Sequence, residues 1–173
     1  KIIDLEFNDI NGGSFAITVA KKNSRHKEIK KIVEWLLKKE SIFEYNKINT
    51  FKKFFINIKK HKKIFKDLLL NLKDMKKKVI GYGASTKGNV ILQYCNIDQR
   101  LVPFIADVNE FKHGRFTPGS NIKIISEIEA KKMNPDYFLV LPWHFKNFII
   151  NKEKEFINKN KKILFPLPDI EII

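Results

Sequence analysis

Cysteine is almost missing from this sequence, Cys95 being the single one. One thiol closes no internal disulfide and builds no cysteine zinc cage. The four histidines, His26, His61, His113 and His144, are too scattered to argue a metal cluster or a Ser–His–Asp triad. Long apolar runs are missing too. Charges interrupt every apolar stretch before the roughly 18 residues that a membrane helix needs. The opening "KIIDLEF" is not an apolar segment of signal-peptide type. A cytoplasmic protein without a membrane partner is the expectation. Acidic residues are also scarce, 19 Asp and Glu against 34 Lys and Arg, for a net charge of +15.

That excess raises nucleic acid as a partner, because a basic face is its electrostatic footprint. Twenty of the 34 basic residues lie between Lys21 and Lys78, so the charge is localised. They fall on the outward face of helical patterns and do not alternate with aromatics as a base-stacking platform would. A solvated helical surface explains them, and no nucleic-acid partner is expected. With 43% hydrophobic residues and 15 Phe in 173 positions, the chain has the material for a packed core.

Along the chain, residues 1–24 read as a hairpin. "IIDLEFND" alternates, "INGGS" turns, and "FAITVA" is rich in strand formers. Two strands are marginal alone, so the hairpin needs something to lean on. Residues 25–78 are helical in pattern. Ile29, Ile32, Val33, Leu36 and Leu37 make one stripe. Phe51, Phe54, Phe55, Ile58, Phe65, Leu68, Leu69 and Leu72 make a longer one, read as core, with Asn49 or Thr50 as its cap and His61 facing solvent. From Lys78 the period changes to short apolar strands alternating with helices: "KVIGYG", "LVPFIADVN", "IKII", "DYFLVLPWHF" and a closing apolar strand in "KKILFPLPDIEII". Such alternation predicts an α/β fold over residues 79–173. The expected sheet is Rossmann-like and mostly parallel, with the Val79 strand central and the hairpin and helical segment preceding it.

The stretch "VIGYGASTKGN" completes neither familiar phosphate pattern. In G-x-G-x-x-G, Gly81 and Gly83 fill two places but Thr86 takes the third. In G-x-x-x-x-G-K-[ST], Gly83 and Gly88 have the spacing, yet Asn89 stands where lysine belongs. ATPase activity and tight NAD binding are thereby disfavoured. The chemistry of the turn survives both failures. Glycines admit close backbone approach, a helix starting near Ser85–Lys87 offers N–H groups and a positive dipole end, and Ser85, Thr86, Lys87 and Asn89 add polar groups. The alternative is a structural turn with Ser85 or Thr86 as helix cap. Asp107 ends the next strand, where a carboxylate can meet a sugar hydroxyl, and "LPWHF" ends a later strand on the same edge. There Trp143 could stack on a base or sugar and His144 donate a hydrogen bond; taken alone, each has a structural reading as well.

Four segments in order, "NDINGGSFAITVAKK", "GYGASTKGN", "ADVNEFKHGRFTPGSNIKI" and "PDYFLVLPWHF", resemble the C-terminal part of S-adenosylmethionine-dependent sugar-nucleotide C-methyltransferases. The resemblance implies a cysteine-rich zinc-binding domain and a methyltransferase domain upstream, with residues 1–24 as the last hairpin of the latter and 79–173 as a Rossmann-like nucleotide-sugar-binding domain. The implied reaction removes a proton next to the keto group of a nucleotide-linked 4-keto-deoxysugar and methylates the carbanion, typically at C3. On this resemblance Gly81, Gly83, Ala84, Ser85, Thr86, Lys87, Gly88 and Asn89 face the diphosphate or nucleotide. Asn11, Gly12 and Gly13 border the sugar, and His144 reaches the same cleft. The catalytic base and the S-adenosylmethionine site belong upstream, so this chain is expected to bind neither metal nor that cofactor tightly and to be inactive alone. Separated from its sheet, the hairpin exposes edges that favour dimers. The competing reading is a regulatory nucleotide-binding module without methyl transfer.

Overall fold

The computed structural model describes all 173 residues, which divide into two compact units, residues 1–58 and 59–173. In the N-terminal unit, β1 (Ile2–Asn8) and β2 (Ser14–Val19) form the expected antiparallel hairpin. Its turn requires left-handed backbone at Asn11 (φ 55°), Gly12 (87°) and Gly13 (119°), which accounts for the polar, glycine-rich "INGG". Phe7 and Phe15 face each other across the strands with ring centroids 6.4 Å apart. Helix α1 (Lys30–Ile42) follows. No residue of this unit is buried.

Helix α2 (Ile48–Asp74) carries the long apolar stripe, but only its second half is core. Phe65, Leu69 and Leu72 are buried, whereas Phe51, Phe54 and Phe55 are exposed, Phe54 by 63%. Helical spacing marks which side of a helix is apolar, not how much of that side is buried. Two further expectations are corrected. The helix begins before Asn49 and Thr50, and the Thr50 hydroxyl donates to the Glu44 carbonyl at 2.9 Å. His61 is half-buried, its Nε2 lying 2.6 Å from the Pro166 carbonyl, so the lysines around it do not set its environment.

The C-terminal unit is the expected α/β sheet. Its elements are β3 (Val79–Tyr82), α3 (Thr86–Tyr94), β4 (Phe104–Asp107), β5 (Lys123–Ser126), α4 (Glu127–Lys132), β6 (Tyr137–Val140), α5 (Lys146–Lys152), α6 (Lys154–Asn158), β7 (Lys162–Phe165) and β8 (Glu171–Ile172). Strand order is β5-β4-β3-β6-β7-β8, parallel except for the β7–β8 pair. The closing segment therefore holds two short strands where one was expected. "PLPD" supplies a turn, and Leu164 pairs back onto Ile172.

Period-two alternation sorts each strand between two cores. Val79, Ile105, Leu139 and Leu164 pack with the second half of α2 and with Ile91 and Leu92 of α3. Ile80, Tyr82, Ala106, Phe138, Val140 and Ile163 pack on the other side with Ala130 of α4 and Ile149 of α5. One polar knot sits in the second layer. Glu153, 2% exposed, accepts from the Tyr82 hydroxyl at 2.8 Å and pairs with Lys131 at 2.8 Å. Burial, then hydrogen bonding to Glu127 and Glu153, pushes the Tyr82 phenol far above its ordinary pKa, so it stays a donor. Tyr82→Phe should cost roughly 1.5–3 kcal/mol, because a charged acceptor loses a partner out of water. An unchanged urea midpoint would contradict this.

Candidate functional site

The chain leaves β3 for β4 on one side, while β6 flanks β3 on the other, so strand order reverses between β3 and β6. Loops at the carboxyl ends of such a pair diverge and leave a crevice, the usual ligand position in doubly wound sheets. The glycine turn follows β3 and "LPWHF" follows β6, so the topology brings these two segments together.

Their fit is close. Gly83 has φ +82°, and a Cβ there would lie 2.7 Å from the Pro142 ring. Its N–H donates to the Ala106 carbonyl at 2.7 Å. Gly88, inside α3, would place a Cβ 2.6 Å from Leu141 Cβ. This is the close helix–strand packing that the third fingerprint glycine usually allows, moved two positions past Thr86. Gly81 serves the sheet, since a Cβ would press within 2.6 Å of Ile105. Ser85 caps α3, its Oγ accepting from the Gly88 N–H at 3.0 Å. The capping reading of Ser85 thus holds alongside the anion-binding geometry: Thr86 and Lys87 stand exposed in the first turn of the helix.

Asp107, 6% exposed, is occupied within the protein. Its Oδ2 accepts from the Ala84 N–H at 2.7 Å and from Lys112 Nζ at 3.0 Å, and its Oδ1 accepts from the Asn109 N–H at 2.8 Å. Lys112 Nζ also donates to the Ala84 carbonyl at 3.0 Å. Asp107 therefore positions the turn. Lys112 and Asn109 were not singled out from the sequence. The signal available was a lysine five residues beyond a strand-ending Asp, with a turn-forming Asn between them.

Beyond β6, Trp143 is half-buried, packs against both hydrophobic cores, and meets His144 edge-on with centroids 5.9 Å apart. His144 has a buried Nδ1 without a protein partner, and so does the Asn89 carboxamide oxygen. Burial first, then the charge of Lys87, lowers the His144 pKa. The carboxyl edge thus presents Lys87 and the first turn of α3, which suit a group with several acceptor oxygens, beside a buried His144 Nδ1 and a buried Asn89 oxygen that needs a donor. Asn11, Gly12 and Gly13 lie in the hairpin turn of the N-terminal unit.

A cleft of about 580 Å³ lies at the opposite, amino edge of the sheet, lined by Lys131, Asn134, Pro135, Lys154, Lys159 and Lys161 among others. Yet Lys131 is committed to Glu153 and Lys152 to Glu127, and strands begin there, so no loop diverges from its neighbour. The carboxyl edge is the better candidate. No group of His, Cys, Asp and Glu could hold a metal ion, and no helix is long and apolar enough to cross a membrane.

A family described as C-methyltransferase C-terminal domain matches residues 9–168. The C-methyltransferase NovU of Streptomyces niveus is 30% identical over 173 residues, covering 100% of this chain and 41% of NovU. The chain thus spans about two fifths of the length of that curated relative.

In the folded protein the His144 imidazole should titrate below 6.5. Lys87→Ala removes one of the two causes and should raise the midpoint, as followed by NMR of the ring protons. Because the folded state binds this proton less tightly than the unfolded state, a stability penalty should appear as pH falls below 6.5. A midpoint at or above 6.5 would contradict the burial of the ring, and one indifferent to Lys87 would show that the two side chains are not neighbours in solution.

Proposed function

The chain belongs to the C-methyltransferase C-terminal domain family, and from that premise we propose that its carboxyl-edge crevice holds the diphosphate of a nucleotide-linked 4-keto-deoxysugar. The proposed whole enzyme transfers a methyl group from S-adenosylmethionine to a carbon beside the ketone. This chain acts as its C-terminal part in the cytoplasm, joined to upstream methyltransferase and zinc-binding domains. The observation that carries the reading is the meeting, between β3 and β6, of Lys87 and the amino end of α3 with His144, whose buried Nδ1 has no protein partner.

S-adenosylmethionine does not fit the same place. Its sulfonium and amino groups would face Lys87 and a positive helix end. The strand-end carboxylate that could take its ribose, Asp107, is already bonded to Ala84, Asn109 and Lys112. The cofactor is assigned to the upstream portion, and so is the base that removes the proton. What this chain contributes is binding and orientation. Lys87 and the α3 N–H groups take the phosphate charge, and Asp107 and Ser85 hold the turn that presents them. The neutral His144 offers a hydrogen bond without adding positive charge. Asn11, Gly12 and Gly13 are proposed to border the sugar. The N-terminal unit, which buries none of its own apolar residues, is proposed to complete the upstream sheet.

Isothermal titration of the 173-residue chain should show weak binding of inorganic pyrophosphate and of nucleoside diphosphates, and none of S-adenosylmethionine. Weak binding is expected because the enclosing domain is not there to share the cost of association. Lys87→Ala should remove roughly 1.5–3 kcal/mol by deleting a charge-assisted contact. Gly83→Val should abolish binding, since the side chain would strike Pro142 and sit at a left-handed φ. Tight S-adenosylmethionine binding, or diphosphate binding indifferent to both changes, would refute the assignment.

A further inference from the structure

Resting on that diphosphate reading, we propose that Phe111 is the stacking platform for the nucleobase of the bound nucleotide. Phe111 is 85% exposed and sits in the short helical turn Glu110–Lys112, in the loop after β4. Its backbone is held from both sides. The Asn109 side chain accepts from the Phe111 N–H at 3.0 Å. On the other side, Lys112 Nζ reaches back to the Ala84 carbonyl of the glycine turn and to Asp107, each at 3.0 Å. His113 Nε2 lies 2.8 Å from the Asp107 carbonyl. The loop is thereby clamped to the same turn that carries Lys87, while Phe111, its most exposed apolar side chain, is left in water.

Clamping matters because an aromatic ring on a fixed backbone loses little freedom when a flat ligand settles on it. Of the aromatics after β6, Trp143 has its ring committed to the two cores, and Phe145 already lies against the His144 ring with centroids 4.3 Å apart. Phe111 carries no polar atom, so it recognises a π-face and not a hydrogen-bonding edge. The corollary is modest discrimination among bases. Thymidine, guanosine and cytidine diphosphates should all bind more tightly than inorganic pyrophosphate, guanosine most tightly because its ring system is larger.

The test titrates the 173-residue chain and its Phe111→Ala, Phe111→Trp and Phe111→Leu variants with these four probes. Phe111→Ala should weaken the nucleoside diphosphates by about 5- to 150-fold, the range that loss of one base–aromatic stack gives, and leave pyrophosphate unchanged. Phe111→Trp should retain or tighten nucleoside binding, and Phe111→Leu should lose most of it although its bulk stays apolar. Thermal melting should be alike in all four proteins, since the ring buries little. Nucleoside diphosphates indifferent to Phe111→Ala, or no tighter than pyrophosphate in the unmodified chain, would overturn the role of Phe111 while leaving the diphosphate site standing. An equal loss for pyrophosphate would overturn it too, by showing that the residue acts only through the turn. Failure of all four probes to bind the unmodified chain would instead remove the diphosphate reading, and the stacking role with it.

Discussion

One buried carboxylate ties the carboxyl edge of the sheet together. Asp107 ends β4, yet its oxygens are spent on the loop after β3, through the Ala84 N–H, and on its own following loop, through the Asn109 N–H and Lys112. Each such charge-assisted bond contributes on the order of 1.5–3 kcal/mol before the cost of burying the charge is set against it. The result is geometric. The glycine turn and the Phe111 loop cannot move independently, because Lys112 bonds to both Asp107 and the Ala84 carbonyl. A carboxylate used in this way orders the groups that can meet a ligand.

The second constraint is distance. Two glycines let the turn and α3 approach the segment after β6 more closely than any side chain would permit, Gly83 against Pro142 and Gly88 against Leu141. That approach brings Lys87 near enough to His144 to lower its pKa, and it surrounds the Asn89 oxygen without giving it a partner. His144 is far from Lys87 in the chain and near it only because strand order reverses at β3. A site of this kind is a property of the topology first and of its residues second.

Much of the topology could be read beforehand, since apolar strands, a glycine turn and helical stripes leave strong periodic signals. The hairpin, the central place of β3 and the capped start of α3 all follow local rules. What was not legible depends on partners distant in sequence. Nothing around Phe51, Phe54 and Phe55 announces that they stay exposed. His61 among lysines gives no sign of the Pro166 carbonyl that it meets. Asp107 was legible as a strand-end carboxylate, but not its engagement by Ala84 and Lys112. Gly88 was noticed for the wrong pattern: it completes no P-loop, yet it does the packing that Thr86 cannot.

The central assignment, a diphosphate in the crevice between β3 and β6, is tested most directly by mapping amide chemical shifts during titration with thymidine diphosphate. The predicted result is saturable change confined to residues 83–89, 107–113 and 142–145. Change confined to the amino-edge cleft around Lys131, Lys154, Lys159 and Lys161, with the glycine turn unmoved, would contradict it.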